Sequence, residues 1–99
     1  FDGFLVNIEA PVDGRRGMDG ISNFLATLRQ ELHATRGSSL CLVYDALDSL
    51  GRVNPQNALN ERNRALFDAC DGIFLNYWWT PSEIADSAAL AGDRRHDVF

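Results

Sequence analysis

Three stretches of almost unbroken apolar residues, at positions 4–8, 40–44 and 73–77, set the folds open to this chain. Strands that are apolar throughout, rather than alternating, belong to a sheet covered on both faces, the habit of parallel sheets. Each gap between them holds one helical pattern. In the first, Ile21, Phe24, Leu25, Leu28 and Leu32 form a stripe that predicts a helix over 18–35, with Gly37 behind Arg36 as its stop. In the second, the spacing predicts a helix over 58–69, with Leu59, Leu66 and Phe67 turned inward. A third helix is predicted over 81–91, where Thr80 suits the N-cap, Pro81 the first turn and Glu83 a capping box, and Gly92 ends it. Asp97-Val98-Phe99 reads as the opening of a fourth strand.

Strand, helix, strand, helix is the βαβ pattern of a parallel sheet. Asp2-Gly3-Phe4-Leu5-Val6-Asn7 is echoed by Asp71-Gly72-Ile73-Phe74-Leu75-Asn76, with Asp-Gly before each strand and Asn at its far end. Similar units with polar strand ends suggest an α/β fold of the (β/α) barrel type. An eight-stranded barrel needs about 250 residues, so residues 1–99 are expected to be a partial barrel domain of about three βα units, incomplete at both ends. The alternative is a small open α/β sandwich. No Gly-rich phosphate loop follows any strand, which weakens a nucleotide-binding version of it.

The net charge of −5 argues against a nucleic-acid partner, which wants a basic stripe. The nine basic residues are all arginine, and acids are interleaved among them. The apolar runs are too short to insert into a membrane. No signal-peptide pattern opens the chain, and because it begins at Phe1 rather than Met this says nothing about secretion. Cys41 and Cys70 lack the spacing of a metal knuckle or a redox pair, and buried free thiols are expected. His33 and His96 belong to no metal-ligand motif, so no metal is called for.

Chemistry in barrels sits at the C-terminal ends of the strands. The first strand offers Asn7 and Glu9, two residues apart and therefore on one side, roughly 6.5 Å along the strand. An amide beside a carboxyl group suits acid–base chemistry, although Glu9 could equally open a solvated loop. The second strand offers Tyr44, Asp45 and Asp48, and the third Asn76, Tyr77, Trp78 and Trp79. Acids, amides and clustered aromatics suit a sugar site, since rings stack on indoles while carboxylates and amides read hydroxyls. Against this, the two tryptophans could be core or interface residues, and Tyr44 a barrel-interior residue. Asp2 and Asp71 read as turn residues away from the chemistry. Asn54, Asn57, Asn60 and Asn63 read as a loop and an early helix turn.

The stretches FDGFLVNIEA, LVYDALDSLG, NPQNALNERN and CDGIFLNYWW resemble the family 85 glycoside hydrolases, endo-β-N-acetylglucosaminidases acting on N-linked glycans. The resemblance implies a (β/α) barrel and cleavage of the β-1,4 bond between the two core N-acetylglucosamines. The family's catalytic Asn-x-Glu falls on Asn7 and Glu9. Glu9 is then the general acid and afterwards the base, while Asn7 holds the substrate's 2-acetamido group as it forms an oxazoline-type intermediate. This is a retaining, substrate-assisted route outside the two-carboxylate scheme. Tyr44 is implied to help position the acetamide, and Asp45, Asn76, Tyr77, Trp78 and Trp79 to line the sugar subsites. The chain departs from the family at Pro55, where Trp often stands, and at Ala10, which replaces a polar residue; both touch substrate contacts more than the acid–base step.

Two rival readings stay open. DGFLVNIE also has the outline of a chitinase strand, although chitinases want an acid where Asn7 stands. A non-catalytic sugar-binding remnant is the other. The resemblance implies no cofactor. It makes N-glycans, on glycoproteins or as free oligosaccharides, the partners, and leaves location between cytoplasm and secretion, with the cytoplasm favoured.

Overall fold

The computed structural model describes residues 2–99. Strand β1 (Gly3–Val6) leads into helix α1 (Gly14–Thr35), followed by β2 (Leu40–Tyr44), α2 (Arg64–Ala69), β3 (Gly72–Phe74) and α3 (Pro81–Ala91), then a 3₁₀ turn over Gly92–Asp97. The strands form one parallel sheet in the order β1-β2-β3, with Val6 level with Val43, and Val43 level with Ile73. Beyond β3, Val98 bridges in parallel to Ile73, and Leu75 and Phe99 exchange backbone hydrogen bonds with this edge. The expected opening of a fourth strand lies there. Such a sheet is compatible with a segment of a barrel.

The register sorts the side chains into two layers. Cys41, Val43 and Ile73 face the helices and are buried with Met18, Leu25, Leu66, Phe67 and Cys70. The Cys41 and Cys70 sulfurs lie 4.0 Å apart as free thiols. On the other face, Leu5 is 51% exposed and Phe74 44%. The expectation of a sheet buried on both faces is met on the helix side only, because among the described residues nothing covers the second face.

Helix boundaries differ from the periodic pattern where local hydrogen bonds decide. α1 begins a turn before the apolar stripe, since the Gly17 N–H donates to Asp13 O and sets the helix going without buried side chains. It ends at an extended Arg36, and Gly37 takes no left-handed conformation. The helix expected over 58–69 shortens to Arg64–Ala69. Asn63 Oδ1 accepts from the Asn60 N–H, Asn60 Oδ1 from the Arg62 N–H, and Asn63 Nδ2 donates to Ala58 O. Short amides that capture nearby backbone groups compete with helical bonding. Leu59, Leu66 and Phe67 are nonetheless buried as expected. α3 keeps its expected limits, with the Thr80–Glu83 capping box and Pro81 in the first turn.

The repeated Asp-Gly has a packing cause. A Cβ on Gly3, whose φ is +149°, would sit 1.9 Å from Leu40 O, and one on Gly72 would meet Asp97 O at 2.7 Å. The aspartates diverge. Asp2 is exposed, 3.7 Å from Arg36. Asp71 is no mere turn residue: it accepts from Arg29 Nε and His33 Nε2 at 2.9 Å and from the Cys41 N–H at 2.8 Å, tying α1 to β2. Burial pushes its carboxyl up, but these three donors outweigh that and hold it below the usual range.

Candidate active site

Continuing the register past the strand ends puts Asn7 level with Tyr44, on the face away from the helices. Asn7 Nδ2 donates to Glu9 Oε1 at 2.7 Å, and both residues are exposed. That bond engages one of the two side-chain polar atoms of each residue, so the pair keeps acceptor positions open to a ligand. The Tyr44 hydroxyl donates to Asn76 Oδ1 at 3.0 Å, joining the ends of β2 and β3. Burial pushes the Tyr44 hydroxyl up, and Tyr77, Glu9 and Asp45 act in the same direction. Asn7, Glu9, Tyr44, Asn76 and Tyr77 therefore form one constellation.

The aromatics divide. Tyr77 is 71% exposed and Trp78 73%, their ring centres 5.6 Å apart at a tilt of 44°. They are a surface platform, not core. Trp79 instead lines a groove of about 210 Å³ with Leu75, Ile84, Ala88, Val98 and Phe99. Leu75 follows Phe74 and so points to the opposite face from it. That turns the groove away from the Tyr44–Asn76 pair.

Asp45 and Asp48 are fully buried. Asp45 Oδ1 and Oδ2 both receive the Gln56 N–H, at 3.1 and 3.0 Å, while Asn57 N donates at 2.8 Å, Asn63 Nδ2 at 3.0 Å and Asn76 N at 3.4 Å. In this arrangement Asp45 meets no solvent and has no free oxygen to offer a sugar. Burial raises its carboxyl, and the donors offset only part of that. Asp48 binds the Leu50 and Arg52 N–H groups, Arg52 Nε and Asn54 Nδ2. Asn57 went unsuspected as a site residue. It holds a left-handed backbone at φ 61°, and its Oδ1 accepts the Trp78 N–H at 3.3 Å. The signal for it was the recurrence of Asn at every third position from 54 to 63, which marks a side-chain-bonded loop rather than a helix.

A family model of glycosyl hydrolase family 85 matches residues 1–99. The chain belongs to that family. Over its whole length this family 85 chain is 39% identical to cytosolic endo-beta-N-acetylglucosaminidase 2 of Arabidopsis thaliana and 39% to cytosolic endo-beta-N-acetylglucosaminidase of Gallus gallus, covering 14% of each. It is 37% identical to the Homo sapiens protein of that name, covering 13% of it. The chain thus spans about one seventh of the length of these curated relatives. Family 85 membership separates it from the chitinase-like alternative. Among the described residues no group of three His, Cys, Asp or Glu could hold a metal ion, and no helix is long and apolar enough to cross a membrane.

Proposed function

We propose that this chain is the catalytic-centre segment of a (β/α)8 endo-β-N-acetylglucosaminidase that cleaves between the two core N-acetylglucosamines of N-linked glycans. The observation that carries the reading is the 2.7 Å bond from Asn7 to Glu9, held level with Tyr44 at the C-terminal ends of adjacent parallel strands. Glu9 protonates the departing glycosidic oxygen. The substrate's own acetamide carbonyl attacks the anomeric carbon and closes a ring of oxazoline type that keeps its N–H as an oxazolinium ion. Glu9, left ionised, then takes a proton from the water that opens it with net retention. Asn7 spends its amide nitrogen on Glu9, which leaves its carbonyl oxygen to accept the acetamide N–H. Tyr44, held by Asn76, presents its hydroxyl to the same group.

Asn76 Nδ2 and the Tyr77–Trp78 platform are suited to the flanking sugars, with Trp79 at the margin. Asp45 belongs to the site at one remove. The cytoplasm is the proposed location, since the relatives above are named cytosolic.

The test is made in the full-length parent enzyme, by intact-mass analysis of a high-mannose glycoprotein. The expected product keeps a single N-acetylglucosamine on each site. Glu9→Gln should lower turnover by about 10²–10⁴-fold while the glycan still binds. A variant running near the wild-type rate would sink the assignment.

A further inference from the structure

One residue past Tyr44, the buried Asp45 is bonded from three separate parts of the chain. The 54–57 loop supplies the Gln56 and Asn57 N–H groups, the turn before α2 supplies Asn63 Nδ2, and the end of β3 supplies the Asn76 N–H. The Asp45 backbone N–H also donates to Phe74 O at 2.9 Å. Asp45 therefore grips the β3 end twice, once through its main chain and once through its carboxylate. The residue it grips, Asn76, is the acceptor of the Tyr44 hydroxyl.

We propose that Asp45 is a positioning residue for the cleavage reaction: its carboxylate fastens the 54–63 loop and the β3 end to β2, and so fixes where Asn76 holds the Tyr44 hydroxyl. The proposal rests on the functional reading above and deepens it. A carboxylate suits the task because it only accepts, and its two oxygens have room for every donor brought to it. An asparagine of the same shape has one acceptor oxygen, and turns an N–H₂ group toward donors. The loop then loses its common anchor, and Asn76 is free to shift. Displacing a reacting group by about 1 Å costs on the order of 10²-fold in rate. Sequence position alone gives Asp45 no distinction from Asp48. What separates them is the donor set, since Asp48 binds only within 50–54 and reaches no residue of β3.

The experiment is a double-mutant cycle in the full-length enzyme, with kcat and KM measured separately on a high-mannose glycopeptide. Asp45→Asn should lower kcat about 10- to 100-fold. In a Tyr44→Phe background the same change should lower kcat less than about twofold further, because the hydroxyl it positions is gone. A purely structural residue would depress both backgrounds equally. Wild-type kcat in Asp45→Asn, or the same fold-loss in both backgrounds, overturns this proposal alone. Wild-type kcat in Tyr44→Phe by itself overturns the role given to Tyr44, and this proposal with it. Should Asp45→Asn fail to fold, Asn63→Ala removes one donor of the set. It should lower kcat about threefold or more, and only where Tyr44 is intact; an unmasked loss overturns the proposal.

Discussion

Asp48→Asn probes the loop that carries the second strand's contribution to the site, and its cost follows from the geometry. The Asp48 side chain is 1% exposed and accepts from the Leu50 N–H at 2.9 Å, the Arg52 N–H at 3.1 Å, Arg52 Nε at 2.8 Å and Asn54 Nδ2 at 3.1 Å. Burial pushes its carboxyl up, but the Asn54 amide, the two backbone N–H groups and the Arg52 guanidinium outweigh it and hold it down at about 2. Against an ordinary 3.8 in the unfolded chain, that preference for the charged form is worth about 2 kcal/mol. Since the folded value is the lower one, the stabilisation is present above pH 4 and is lost as the pH falls toward 2. Asp45 runs the other way: burial raises its carboxyl, so ionising it costs stability as the pH climbs from the ordinary carboxylate range through the raised value.

The Arg52 side chain is 62% exposed, so its ion pair adds little, under about 1 kcal/mol. Most of the effect therefore belongs to the buried N–H donors. An asparagine keeps the shape but loses the charge, and faces Asn54 Nδ2 with a second donor. Hydrogen exchange of the 45–54 peptide, read by mass spectrometry and corrected for intrinsic rates, should show about 30-fold more frequent opening in Asp48→Asn at pH 7. The gap between variant and wild type should narrow as the pH drops from 4 to 2. Equal exchange at pH 7, or a gap indifferent to pH, would refute the reasoning. Arg52→Ala is the control, and should open the peptide less than about fivefold.

Two further outcomes bear on the substrate. In the full-length enzyme, Asn7→Ala should lower turnover of intact glycans by about 10²-fold yet still consume a preformed sugar oxazoline; normal hydrolysis of natural glycans would remove the role given to Asn7. Trp78→Ala should raise KM about tenfold with kcat nearly unchanged, as loss of a stacking face requires. Trp79→Ala, altering a groove on the opposite face, should raise it less, and a larger effect from Trp79 would relocate the sugar platform.

Elements defined by local chemistry were legible in the sequence, and elements defined by side-chain competition were not. Thr80, Pro81, Glu83 and Gly92 act on their own backbone neighbours, so the limits of α3 could be written down in advance. β2 was legible for another reason: as the central strand it answers to its own apolar run alone. The first half of the helix expected over 58–69 dissolved because Asn60 and Asn63 bond the backbone that helix would need. A hydrophobic stripe records which residues are buried, and Leu59 is buried without being helical. In the site, the nearness of Asn7 and Glu9 was readable because only one residue separates them in the sequence, although both lie just past the end of β1. Asn57 was not, since its place depends on a carboxylate that lies twelve residues earlier.

The alternation of side chains along a strand explains how the groups proposed to react and to support sit side by side without interfering. Tyr44 and Asp45 are consecutive at the end of β2, so they leave the strand on opposite sides. Tyr44 faces the side of Asn7 and Asn76; Asp45 turns under the 54–63 loop. Glu9 shows the contrast among acids: it is exposed and receives one amide bond, leaving lone pairs for proton transfer. Asp45 is sealed and filled by donors, so it has no exposed lone pair to offer a substrate. A carboxylate's role here follows from its unfilled lone pairs rather than from its nearness to substrate. By that measure Glu9 is the acid suited to the proposed proton transfer, and Asp45 the one suited to the proposed positioning.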